Sequence, residues 1–370
     1  MAKVKIKNIE SLLDQEKVRN MKKRPGMYLG NMNHEAVHNL LSFIFKPILR
    51  NSKNNVEIEL IILDDMNCSI HVEGGNLEIF KAYLEKFAKV EIPVMEDDYC
   101  YYVFYLLLPK LVISFGSGEY CLYIDKDKDT LNYDYSVKPW IKGCSIDITL
   151  DPQLFKSYAF LYESLAQYVK RYAYQYPNLK LTIRDDRQLL QLNTYYYPKG
   201  LQDQLDYYKK LKYGEICLWE VQYVCTIEGY KIEIYFNIAD HIYLQSSRTI
   251  IYAEDDLILY QDTVIKEAVI TAMLQSMEMV SEKEKLQLVF KEKQLAYLTD
   301  FVASIHGEGL KYAGSWKNGL DMPELKVKLT KHMKDYFDNL FSGDSRYIEI
   351  IEKIGFKKGN TLWLDACFLE

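Results

Sequence analysis

Two periodicities divide this chain into segments. At 10–22 (ESLLDQEKVRNMK) Leu12, Leu13, Val18 and Met21 have the spacing of an amphipathic helix, and Pro25-Gly26 stops the pattern. A second helix is predicted over 34–46, where Val37, Leu40, Leu41, Ile44 and Phe45 form one apolar stripe. The period then drops to two in VEIELIIL (56–63) and CSIHVEG (68–74), on either side of the polar turn Asp64-Asp65-Met66-Asn67, which predicts an antiparallel pair. A third helix is expected over 77–87. The stretch 99–135 begins as an aromatic run and breaks into strand-like pieces around Gly116-Ser117-Gly118 and the charged turn 125–129.

After Gly143 come a strand (CSIDITL), a helix predicted over 154–174 and a strand (LKLTIRD). Helices and strands in this order pack as a two-layer α/β sandwich, assigned here to residues 1–212. From 213 the pattern restarts. Strands are predicted near 217–227, 230–238, 246–253 and 295–305, with helices over 257–279, 323–341 and 344–354. Residues 213–370 therefore read as a second, smaller α+β domain, and the chain as α+β overall.

Composition narrows the class. With 49% hydrophobic and 26% charged residues, the 370-residue chain can bury two cores and is neither disordered nor fibrous. It has no run of about 18 apolar residues and its first ten lack the apolar core of a secretory signal, so a cytoplasmic protein with no membrane partner is expected. The seven cysteines are scattered, without metal-ligand spacing, and read as small core residues of a reducing compartment. A net charge of −6 weighs against a wholly basic nucleic-acid surface and leaves room for a local basic groove.

One segment is specific. Lys23-Arg24-Pro25-Gly26-Met27-Tyr28-Leu29-Gly30, preceded by Val18-Arg19 and followed by His38, resembles the segment that opens the ATPase domain of gyrase B and topoisomerase IV B subunits. The likeness continues in order. GCSIDITLD (143–151) resembles the Gly-Thr-x-Val-x-Phe-x-Pro-Asp strand, LTIRDDR (181–187) the strand after the next helix, and YPKGLQDQL (197–205) the Tyr-x-Gly-Gly segment. YAGSWKNGL (312–320) sits where that family has its Gln-Thr-Lys loop. The resemblance implies a nucleotide-binding sandwich of the GHKL (Bergerat) type followed by a transducer domain of ribosomal S5 domain 2-like fold. It offers no counterpart of the Toprim domain that carries strand-passage chemistry.

What the resemblance implies for chemistry is loss. ATP hydrolysis in this family needs a carboxylate that activates water, an Asn one turn on for Mg²⁺, an Asp for the adenine amino group and glycine loops around the phosphates. The general-base position falls at Phe43 and the Mg²⁺ ligand at Pro47, which is expected to kink or end its helix. The adenine anchor falls at Val72, with Glu73 as the acceptor if the register shifts by one, and the glycine box is reduced to Glu73-Gly74-Gly75-Asn76. Cys144 stands at the Thr of the Gly-Thr strand. A second glycine box is missing from 99–115, where Tyr and Phe would fill the space of phosphates. Only Lys317 matches, at the lysine of the Gln-Thr-Lys loop, whose Gln falls at Ser315.

The expectation is a chain without catalytic residues, cofactor or metal that serves as a binding or regulatory scaffold in a topoisomerase-like or DNA-processing assembly, paired with itself as a dimer or with a topoisomerase-like subunit. Two other readings stay open. One is an ATP- and Mg²⁺-binding subunit of a split type II topoisomerase, relying on Lys317. The other is a duplex-DNA-binding module. His38 and His71 read as lone core or edge histidines, the acid clusters 96–98 and 254–256 as solvated turns, and Lys22-Lys23-Arg24 as cations at a helix end with DNA contact as the rival reading.

Overall fold

The computed structural model describes residues 2–4, 23–29, 32, 34–50, 52, 54–78, 80, 110–115, 118–125, 130–137, 142–155, 160–187, 191–211, 217–239, 248–258, 264–313 and 319–357. They fall into two compact units, Met1–Pro198 and Lys199–Glu370.

The first unit is built on nine strands: β1 (Ala2–Val4), β2 (Val56–Ile62), β3 (Asn67–Gly74), β4 (Lys110–Phe115), β5 (Gly118–Asp125), β6 (Thr130–Val137), β7 (Cys144–Thr149), β8 (Leu179–Asp185) and β9 (Gln191–Tyr196). They form one sheet in the order β1-β6-β5-β4-β7-β3-β2-β8-β9. The expected hairpin is β2 with β3, antiparallel, and only β2 and β8 run parallel within the described ladder. Its helices are α1 (Gly26–Leu29), α2 (His34–Leu49) and α3 (Tyr162–Gln175).

Register and alternation explain the sandwich. Rows of side chains cross the central strands: Phe115, Cys144, Val72, Ile58, Leu181 and Tyr195 in one, and Ile113, Ile146, Ile70, Leu60, Ile183 and Asn193 in the next. Apart from exposed Asn193, these rows share one core with Leu40, Leu41, Ile44, Phe45 and Ile48 of α2 and with Leu165 and Val169 of α3. The opposite face carries the other parity, paired charges such as Glu57 with Lys180 at 3.1 Å and Glu59 with Arg184 at 3.0 Å. One face is sealed by helices and the other is polar, so the sandwich has two layers.

The second unit holds β10 (Cys217–Ile227), β11 (Tyr230–Ala239), β12 (Thr249–Ala253), β13 (Asp256–Leu257) and β15 (Thr299–His306) in a sheet ordered β10-β11-β15-β12-β13, plus the short strands β14 (Leu288–Val289), β16 (Tyr312–Ala313), β17 (Gly319–Leu320) and β18 (Phe356–Lys357). Its helices are α4 (Leu201–Leu211), α5 (Ile265–Lys283), α6 (Glu292–Leu298), α7 (Pro323–Gly343) and α8 (Arg346–Ile354). The core on one sheet face joins Trp219, Phe236 and Phe301 to Met273, Met333 and Phe337 from α5 and α7. On the other face α4 packs on β11 and β15, and buried Gln204 donates to Tyr252 Oη at 3.0 Å.

Several expectations need correction. The domain boundary lies at Pro198/Lys199 rather than 212/213, because α4 covers a sheet face of the second unit. Pro47 does not end its helix, which runs on to Leu49. A proline this close to a C-terminus removes one donor with little helix left to disrupt. The helix expected from 154 starts at Tyr162, and the one expected from 257 starts at Ile265 after the β12–β13 turn. Helix α6 occupies part of the stretch expected to be strand from 295, and β15 begins only at Thr299. The helix at 10–22 and most of that at 77–87 lie outside the described residues.

Candidate functional site

Phe43 and Pro47 lie four residues apart on one flank of α2, one turn from each other. Both are half-buried, and Phe43 packs against the core of the first unit. Val72 is 1% exposed at the centre of the row Cys144–Val72–Ile58, whose other two members are 2% and 1% exposed. A phenyl ring, a pyrrolidine and an isopropyl group offer neither a proton acceptor nor a metal ligand. Burial pushes the Cys144 thiol well above its ordinary range, as it does that of Cys68, so both behave as small apolar groups.

Glu73 does not face this row. Alternation along β3 puts it on the outer face, where it is exposed and forms an ion pair with Lys142. It therefore cannot take over from Val72 by a shift of register while β3 keeps its pairing with β2 and β7. Lys317 and Ser315 lie outside the described residues, as do the aromatic run 99–109, Lys22 and the acid cluster 96–98.

The remnant of the glycine box has a different employment, which sequence reasoning missed. Gly75, at φ +72°, lies so close to α2 that a Cβ there would stand 2.9 Å from both the carbonyl oxygen and Cγ2 of Ile48. The next residue, Asn76, donates its backbone N–H to Ile48 O at 2.9 Å and its side-chain amide to Arg50 O. Arg50 N–H bonds Lys46 O at 2.9 Å and Ser52 N–H bonds Leu49 O at 3.1 Å. Of the last carbonyls of α2, which a helix end leaves short of intrahelical donors, Ile48 O is thus capped by the Gly-Gly-Asn turn, while Lys46 O and Leu49 O are bonded by the residues that follow the helix. The signal was present in the triplet Gly74-Gly75-Asn76, but which helix it serves is a long-range fact. Gly143, at φ +78°, is demanded in the same way, since a Cβ would be driven into Val72 O.

Of the two histidines singled out, only His38 is a packing residue. His38 stacks on Tyr168 of α3, with ring centroids 4.3 Å apart and planes 9° from parallel, and its Nε2 is 3.2 Å from Ser164 Oγ. Burial, then the nearby His34 and Arg171, push its pKa down to about 3, so the ring is neutral. His71 is exposed on the outer face of β3. Among the described residues no group of three His, Cys, Asp or Glu side chains is placed to hold a metal ion, and no helix is long and apolar enough to cross a membrane. The turn at 254–256 is not simply solvated: Asp255 is 5% exposed, and Glu254 accepts the N–H of Gly307 at 2.6 Å. Lys23 and Arg24 are exposed. At the far end of the sheet Arg187 reaches Asp185 and Asp65, both at 2.7 Å, and its guanidinium holds the Asp185 carboxyl below the usual range.

No protein-family model matches this sequence, and no curated protein matches it either. Solved structures do. The chain is similar to the 43K ATPase domain of Thermus thermophilus gyrase B, solved in complex with an aminocoumarin, with 16% identity, 93% of each chain covered and a TM-score of 0.67. It is similar to the B-subunit of the DNA gyrase from Myxococcus xanthus, with 15% identity, 91% of this chain and 99% of that one covered and a TM-score of 0.69. It is also similar to the topoisomerase IV ATP-binding domain of Francisella tularensis, solved with a small-molecule inhibitor, with 14% identity, 91% and 95% covered and a TM-score of 0.65. At such identities likeness speaks for architecture, and the chain has the fold of the gyrase B-type ATP-binding region, a GHKL-like sandwich followed by a transducer-like α+β unit.

Proposed function

We propose that this protein is a non-hydrolysing relative in the gyrase B-type fold, a binding or regulatory scaffold whose partner is a second copy of itself or a topoisomerase-like subunit. The observation that carries the reading is the row through Val72. The resemblance assigns the adenine anchor, the general base and the metal ligand to Val72, Phe43 and Pro47, and these side chains are hydrocarbon: Val72 lies in a continuous core, Phe43 packs against it and Pro47 is half-buried on α2. In the remnant of the phosphate-wrapping box, Gly75 instead lies against the end of α2 and Asn76 bonds it. Losing one general base leaves a protein that binds nucleotide without cleaving it; losing anchor, metal ligand and phosphate loop together removes the binding energy as well. The residues at these positions do not fit Mg²⁺-ATP.

The test is a thermal-shift titration of the full chain with ATP and Mg²⁺, followed by calorimetry and a phosphate-release assay. A ligand of the native state raises apparent stability by RT ln(1 + [L]/Kd), about 2.7 kcal/mol at a hundredfold excess over Kd. No shift and no phosphate release are expected. Micromolar binding with hydrolysis would overturn the reading and favour an ATP-binding subunit of a split topoisomerase.

A further inference from the structure

The nine-stranded sheet has two ends, and they are built differently. At one end lies β1, a strand of three residues whose sequence Ala2-Lys3-Val4 includes a charged one, the residue type that keeps a strand edge from pairing with another chain. At the other end β9 has no such guard. No charged residue occurs from 188 to 198, no proline lies within the strand, and its pairing with β8 runs unbroken from Lys180↔Tyr196 to Asp185↔Gln191, with no bulge to twist the edge away. Among the described residues no strand lies beyond it. Its outward row is Leu192, Thr194 and Tyr196, and the two large members are 59% and 53% exposed.

We propose that the outer edge of β9 is a self-association surface on which two copies of this chain pair β9 to β9, antiparallel, about a two-fold axis at Thr194. The occupant follows from the strand's own pattern. An axis through Thr194 sets Leu192 opposite Tyr196 of the second copy, Thr194 opposite its own counterpart and Asn193 opposite Tyr195. Outer residues then meet outer residues and inner meet inner, because an antiparallel pair keeps opposed residues on one face. Apolar-aromatic and threonine-threonine pairs across strands are favourable, and no like charges face each other. Such self-complementarity is what a closed two-fold contact requires, whereas pairing β9 with β1 of another copy would engage a strand of only three residues and leave edges free for open-ended growth. A strand this short buries less than a standard interface of about 1,600 Å², so the dimer is reversible and concentration-dependent. This inference specifies the self partner of the proposed scaffold, but it rests on the sheet edge alone and ATP plays no part in its test.

The experiment is sedimentation equilibrium of the full chain over a concentration series. Wild type is expected to move from 43.6 kDa towards twice that mass. Two double variants, each checked for an unchanged circular dichroism spectrum and melting temperature, remove the same apolar surface and differ only in charge across the axis. L192E/Y196E sets glutamates against each other, whereas L192K/Y196E sets the new lysine of one copy against the new glutamate of the other. The first is expected to dissociate at least tenfold more readily than the second, with the gap closing in high salt. A wild type that stays monomeric throughout, or two variants with the same association constant, would overturn the proposal.

Discussion

His38 and Val72 show how one side chain can be read in two ways until its neighbours are known. A histidine on an amphipathic helix is a candidate ligand or base, yet stacked on Tyr168 with its pKa pushed down to about 3 it stays neutral across the ordinary pH range. The linkage has a definite sign. Above pH 6.5 the ring is neutral in folded and unfolded chains alike and contributes no pH dependence; between 6.5 and about 3 the unfolded chain takes up a proton that the folded one refuses. Stability is therefore lost as pH falls through that window, at up to about 1.4 kcal/mol per pH unit. His38→Phe, which keeps an aromatic ring for the stack, is expected to lack this component, so urea unfolding of wild type and variant should diverge progressively below pH 6.5. Parallel profiles would show that His38 is protonated in the folded protein.

At the scale of the element, strand β3 decides the chemistry through alternation. Its inward residues Cys68, Ile70 and Val72 lie in the core and its outward ones, His71 and Glu73, in solvent. Restoring an acid at 72 means placing a carboxylate between Ile58 and Cys144 under α2. Val72→Asp is expected to cost about 3–5 kcal/mol, as an unpaired charge or a neutralised, unsatisfied carboxyl in an apolar row. The measurement is the urea midpoint of the variant, with ATP and Mg²⁺ present and absent. A variant of near-native stability that gains a nucleotide-dependent shift would mean that the site is latent rather than rebuilt. The same element view explains Pro47: α2 tolerates it because the helix closes two residues later on the Gly-Gly-Asn turn, so a residue poor for a helix interior costs little here.

For the whole molecule the informative line is the one between the units. Helix α4 follows Pro198 directly, and its Leu201, Gln204 and Leu205 are buried on the sheet face that carries Tyr252. A fragment of residues 199–370 is expected to unfold cooperatively, since it retains both sheet faces' cover. A fragment of 213–370, lacking α4, leaves Tyr235, Tyr252 and Val302 bare and is expected to lose several kcal/mol or to aggregate. Denaturant unfolding of the two fragments makes the comparison, and equal stability would put the boundary back at 212/213.

Local pattern was enough for most elements. Period-two alternation marks β2, β3, β7, β8 and β10, and the 3.6-residue stripe marks α2, α5 and α7, because those elements bury one face and their own residues record which; β11 alternates as well, although α4 covers its second face. The motif at 23–30 carried the fold, and the substitutions at Phe43, Pro47 and Val72 were legible as residue types. Tertiary structure decided what periodicity does not encode: that Val72 continues a row from Cys144 to Ile58, that Glu73 points away from it, that Asn76 caps α2, that α4 belongs to the second unit and that β9 is the last strand of the sheet among the described residues. Each of these depends on which strand lies beside which and in what register, and that is fixed by packing between segments far apart in the chain.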